Sequence, residues 1–154
     1  AARLDIREDS SRFNAALSFG YALLYKDVMA ALITVGLDPA FGFFHTPRSA
    51  AYPLALDLME LFRTLMWGMP PVAALNRRQW TPEHFTIAGQ QVWLTDDGRR
   101  LAIELYETRK QESWKHPVVG YALSYHRAIE LEARLLEKEW SGTPGLFAKM
   151  QLRG

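Results

Sequence analysis

An all-α fold, a single mainly helical domain with one small β-hairpin, is what this sequence predicts, and three observations predict it. Apolar residues recur at helical spacing over three long stretches. Strand-like alternation around a turn is convincing at one place only. The chain also has 154 residues, 49% of them hydrophobic and 12% aromatic, which suits one domain with a real core.

The first helix is expected over Ser11 to Val35. Ser10, Ser11 or Asn14 can cap it, and Leu17, Tyr21, Leu24, Val28, Leu32 and Val35 recur along one side before Gly36 stops it. Asp38-Pro39 opens a loop that Gly42 keeps adaptable up to His45. A second helix begins near Ser49 to Pro53 and runs to about Trp67, where Gly68 and Pro70-Pro71 are expected to break it. A short helix follows from Val72 to Arg77, with a turn at Pro82 to His84. Phe85 to Ile87 and Val92 to Leu94 flank Ala88-Gly89-Gln90 and form the hairpin, expected to be the sole β element. Thr95 caps a helix from about Asp96 to Ser113, with Asp96 and Asp97 placed well against its positive end. The last long helix is expected over Val118 to Trp140, with Tyr121, Leu123, Tyr125, Ile129, Leu131 and Leu135 near its apolar side. Gly142 and Pro144 end it, ahead of a short tail packed through Leu146 and Phe147. With no repeat, low-complexity tract or linker, residues 1–154 read as one domain.

Composition excludes several functions. Without cysteine there is no disulfide, zinc-thiolate site or cysteine nucleophile, and a reducing cytoplasm is the expected location. No uninterrupted apolar stretch reaches membrane-spanning length and no signal peptide opens the chain, so no membrane partner is expected. A net charge of +1 gives no strong nucleic-acid signature, although a local basic groove is compatible with it. Gly-rich phosphate loops, His-Glu-x-x-His motifs and nucleophile elbows are absent.

The chemistry concentrates between residues 36 and 63. His45 ends an apolar loop, and Asp57 and Glu60 stand i, i+3 on the following helix, neighbours on its surface. From Pro53 to Pro70 the charged residues are Asp57, Glu60 and Arg63 alone. Carboxylates inside an apolar helix are costly to bury without a compensating cation. One imidazole with carboxylates is ligand chemistry for a divalent ion, and oxygen-rich sets favour magnesium or manganese. The plain alternative is a capping or core histidine beside a buried Glu60–Arg63 pair, and the residues alone leave both open. His84, His116 and His126 have no ligand-spaced partners and read as structural or exposed. Tyr21 and Tyr25, at i, i+4, read as core.

Four blocks in order carry a resemblance: Asn14-Ala15-Ala16-Leu17 through Tyr25, Gly36-Leu37-Asp38-Pro39, Gly42-Phe43-Phe44-His45, and Ala55-Leu56-Asp57-Leu58-Met59-Glu60-Leu61-Phe62-Arg63. Together they resemble the C-terminal helical domain of the CRISPR-associated integrase family, the central subunit of spacer acquisition. The later region, with the hairpin and Leu94-Thr95 followed by Gly98-Arg99-Arg100, resembles it more loosely.

The resemblance implies a metal-dependent DNA endonuclease and integrase that inserts captured fragments into the repeat array by transesterification. It implies a Mg²⁺ or Mn²⁺ site in which His45 and Glu60 are ligands and Asp57 a supporting acid, with the direct carboxylate ligand left open between the two acids. Arg63 matches the family's Phe-Arg helix ending. Arg63 and Tyr25 thereby become candidate DNA contacts; Arg48, Arg77, Arg78, Arg99 and Arg100 are candidates by charge alone, beside the plainer reading of solvated surface arginines. Implied partners are double-stranded DNA with 3′ ends, CRISPR repeat DNA, a second copy in a homodimer, and a small ferredoxin-like subunit. The family's first glutamate lies on a helix upstream of the Asn14 block, where Glu8 occupies an expected loop. The sequence is therefore expected to be a fragment lacking that glutamate and the N-terminal β-domain, and inactive alone. The competing function is a non-catalytic helical scaffold that binds DNA or protein.

Overall fold

The computed structural model describes residues 10–37 and 58–141. The expected α1 is observed as Ser10–Thr34. Leu24, Val28 and Leu32 recur four residues apart and are fully buried, so the helical spacing is the core face. The helix ends as the sequence requires. Gly36 takes φ +89°, its N–H donates to the Ile33 carbonyl (3.0 Å), and the Leu37 N–H donates to the Leu32 carbonyl (2.9 Å). This Schellman pattern satisfies two terminal carbonyls and drives Leu37 into the core. By length and apolarity alone α1 passes as a membrane span. Its packing against the other helices and the hairpin instead makes it the central helix of this domain.

Helix α2 is described over residues 58–62, and here the expectation fails at its end. The chain does not break at Gly68 and the two prolines. It widens into a π-helical turn, Arg63–Gly68, and continues directly as α3, Met69–Asn76. A proline ring clashes with the carbonyl four residues back, which for Pro70 and Pro71 means Met66 and Trp67. Both lie in the π-turn, where the wider winding carries those carbonyls out of α register, and the prolines fall in the first turn of α3. The π-turn also aims Met66 and Trp67 into the core. Trp67 is fully buried, donates its indole N–H to the Ala16 carbonyl (3.2 Å), and meets Tyr106 edge-on at 6.1 Å. The indole lies over Gly20, where a Cβ would fall 1.9 Å from its ring atoms.

The expected turn is a 3₁₀ segment, Pro82–His84, and the expected hairpin pairs β1 (Phe85–Ala88) with β2 (Gln91–Leu94), Phe85 opposite Leu94. Thr95 caps α4 (Asp96–Lys110) by accepting the Gly98 N–H at 3.2 Å. Helix α4 stops at Lys110, short of the expected Ser113. A second hairpin follows that was not expected, β3 (Ser113–Lys115) against β4 (Ala122–Ser124). Consequently α5 starts at Tyr125, and Tyr121 and Leu123 are not helical. Pro117 biases His116 away from the helix, and Gly120 takes φ +78° to close the turn. Three-residue strands are too short for alternation to register. The expected tail through Leu146 and Phe147 lies outside the described residues.

Candidate functional site

Leu58 and Phe62 are fully buried, and 100° per residue puts Glu60 and Arg63 on the opposite side of that helix. The structure bears this out: side-chain exposure is 60% for Glu60 and 45% for Arg63. The expectation of an acid buried in an apolar helix is thus corrected for Glu60. The apolar residues face the core, and the acid shares the solvent side with Arg63. The Arg63 guanidinium donates to Glu60 Oε1 at 2.7 Å and lies 4.3 Å over the Tyr21 ring. Hydrogen bonds to Glu60 and then Tyr21 raise the Arg63 pKa further above its already high value. Tyr21 packs against the core as the sequence suggests, and its half-buried ring is in addition a platform under a cation.

His45, Arg48 and Asp57 lie outside the described residues. Among the described residues no group of three or more His, Asp or Glu side chains converges on a possible metal site. Glu60 is the candidate ligand that is described, and Arg63 holds one of its oxygens. An exposed carboxylate is a hard oxygen donor within reach of solvent, which suits magnesium or manganese.

The other candidates scatter. Tyr25 is half-buried on α1. Arg77 and Arg78 follow α3 and are exposed, with Arg78 at φ 59°. Arg77 lines a groove of about 420 Å³ with Ala73, Gln79 and Glu104. Arg99 bonds the Leu94 carbonyl (2.9 Å) and pairs with Asp96, and Arg100 stands 3.4 Å from Asp97. These two arginines meet the acids of their own helix start. Arg99 also borders a cleft of about 690 Å³ between α1 and β2, with Asn14, Phe19 and Trp93. His84 is structural, its Nδ1 accepting the Thr81 N–H at 2.9 Å, and His126 is exposed beside Glu130.

Sequence reasoning missed a buried pair. His116 and Glu132 are both fully inaccessible, and His116 Nε2 contacts Glu132 Oε1. His116 Nδ1 accepts the N–H groups of Val118 (3.1 Å) and Val119 (3.3 Å), so the ring carries its proton on Nε2 and donates it to the carboxylate. Glu132 Oε2 has no hydrogen-bond partner. Burial pushes Glu132 up to about 7 and lowers His116. The legible signal was Glu132 itself, an acid amid Ile129, Ala133 and Leu136 on the core face of α5.

Comparison with known proteins adds the following. A family model described as CRISPR associated protein Cas1 matches residues 5–108. A CRISPR-associated exonuclease Cas4/endonuclease Cas1 fusion from Leptospira interrogans is 58% identical over 147 residues, covering 96% of this chain and 27% of that protein. The corresponding fusion from Myxococcus xanthus is 55% identical, with 96% and 26% covered. A CRISPR-associated endonuclease Cas1 from Thermus thermophilus is 40% identical over 124 residues, 80% of this chain and 39% of that one. Among solved structures, a Cas1 protein from Thermotoga maritima superposes with TM-score 0.68 at 30% identity, covering 84% of this chain and 40% of that one. A casposase bound to integration product has the same fold, with TM-score 0.69 at 23% identity, covering 82% and 37%. The chain spans from about a quarter to two fifths of the relatives it matches.

Proposed function

This chain belongs to the Cas1 family of CRISPR-associated proteins, and from that premise we propose that it forms the helical part of a divalent-metal-dependent DNA integrase and endonuclease. The observation that carries the reading is the placement of Glu60. It stands in the family-matching region, on the solvent side of a helix whose other side is locked into the core. In this reading Glu60 supplies a carboxylate oxygen to a Mg²⁺ or Mn²⁺ ion shared with His45, and Asp57 supports it. Arg63, held by Tyr21, offsets the charge of a phosphate brought to the same face. The chemistry such an ion supplies when bound is Lewis-acid polarisation of the scissile phosphoryl oxygen.

The reaction proposed is transesterification. A DNA 3′ hydroxyl gives up its proton and attacks a phosphodiester, a new P–O bond forms, the old bridging P–O bond breaks, and the leaving oxygen takes up a proton. The partners proposed are prespacer DNA, repeat DNA, a second copy of the protein and a small ferredoxin-like subunit. A scaffold reading is supported by one observation, the engagement of Glu60 by Arg63. Metal removal separates the two. Strand transfer by the full-length protein with Mn²⁺ should fall to background in excess EDTA and return on adding Mn²⁺, whereas transfer that survives chelation contradicts the metal role.

A further inference from the structure

The π-turn creates a main-chain problem that a distant side chain solves. In α register, Pro70 and Pro71 would serve the carbonyls of Met66 and Trp67. In π register they would serve those of Leu65 and Met66, and neither proline has an N–H to give. The Leu65 carbonyl instead receives two hydrogen bonds from Arg109 on α4, from Nε at 3.0 Å and Nη2 at 2.6 Å. The guanidinium has two further partners. Nη1 donates to Glu112 (2.6 Å), and the plane lies 4.5 Å from the Tyr125 ring at the start of α5. Tyr125 in turn stacks on Trp114 of β3, 5.9 Å between ring centres. The first residue of the π-turn is Arg63, the partner of Glu60 and Tyr21.

We propose that Arg109 is a positioning residue: by bonding the Leu65 carbonyl, which in π register would look to Pro70 for an N–H, it fixes the π-turn and so the orientation in which Arg63 and Glu60 are presented. The fixed forked geometry of an arginine suits a single carbonyl approached from two nitrogens. A half-buried carbonyl stripped of both bonds finds a new donor or takes water, and either change rotates the turn that begins at Arg63. The link to catalysis rests on the integrase reading above. The link to the turn does not.

Two variants test it in the full protein. Arg109→Ala should speed amide exchange at Trp67, Gly68 and Met69 at least tenfold, with smaller changes in α1. It should lower the strand-transfer rate constant at least tenfold while the Kd for DNA moves less than about twofold. Adding Pro70→Ala, which returns an N–H in reach of the Leu65 carbonyl, should recover most of both losses. Rescue by a residue that touches neither Glu60 nor Arg63 is not expected of a general packing role. Unchanged exchange in Arg109→Ala, or no rescue by Pro70→Ala, overturns the proposal. Faster, rescuable exchange with an unchanged transfer rate overturns its link to the site. If the unsubstituted protein transfers no strand, the integrase reading fails, and exchange with rescue still decides whether Arg109 fixes the turn.

Discussion

Burial strips solvent from both partners of the His116–Glu132 pair, and each responds to pH with the opposite sign. The Glu132 carboxyl titrates near 4.5 when unfolded and near 7 when folded. Its contribution to stability is therefore full below about pH 4.5 and lost as pH rises through about 7. For His116, depressed below its ordinary 6.5, stability is lost as pH falls below that value. Glu132→Gln keeps an oxygen that accepts from His116 Nε2 and removes the titration. Urea unfolding of the two proteins should show the stability of the unsubstituted protein relative to the variant falling by on the order of 2 kcal/mol between pH 4.5 and 8. A gap independent of pH contradicts the assignment. The acid was visible in the sequence at a core position of α5. Its histidine partner was not, because it comes from a hairpin turn sixteen residues away whose short strands leave no periodic trace.

At the scale of elements, α1 was legible almost to the residue because its buried side repeats every four positions and its glycine stop has one physical use. The π-turn was not. Gly68 and Pro70-Pro71 read as a break, since the rescue of that segment comes from Arg109, over forty positions away. Gly20 was the other unused signal, a helix-interior glycine that local propensity disfavours by about 1 kcal/mol relative to alanine. Its reason is the Trp67 indole. Gly20→Ala gains that propensity but drives a methyl into a fully buried ring that hydrogen-bonds Ala16 and packs on Tyr106. The expected net result is a loss of roughly 2 kcal/mol or more, read as a lower midpoint in denaturant unfolding. A stabilised variant contradicts the packing described for α1 and the π-turn.

Across the whole molecule, the core and the candidate site share one helix and use opposite sides of it. Leu58, Phe62 and Met66 belong to one core cluster with residues of α1 and α4, while Glu60 and Arg63 face outward. The sequence placed Glu60 on the correct helix but in the wrong environment, because an apolar stretch was read as buried on all sides. His45 and Asp57 complete the proposed ligand set from outside the described residues. The arrangement predicts that Glu60 can be changed without harm to the fold: an exposed ion pair contributes at most about 1 kcal/mol to stability. Its loss should remove an oxygen ligand and with it transition-state charge stabilisation.

The most direct measurement is strand transfer into a repeat-bearing plasmid with Mn²⁺, run side by side for the full-length protein with and without Glu60→Ala, with thermal unfolding of both. The account predicts a rate at least a hundredfold lower for Glu60→Ala at a nearly unchanged melting temperature. Undiminished transfer by a folded Glu60→Ala protein would contradict the metal role assigned to this face and leave the scaffold reading in its place.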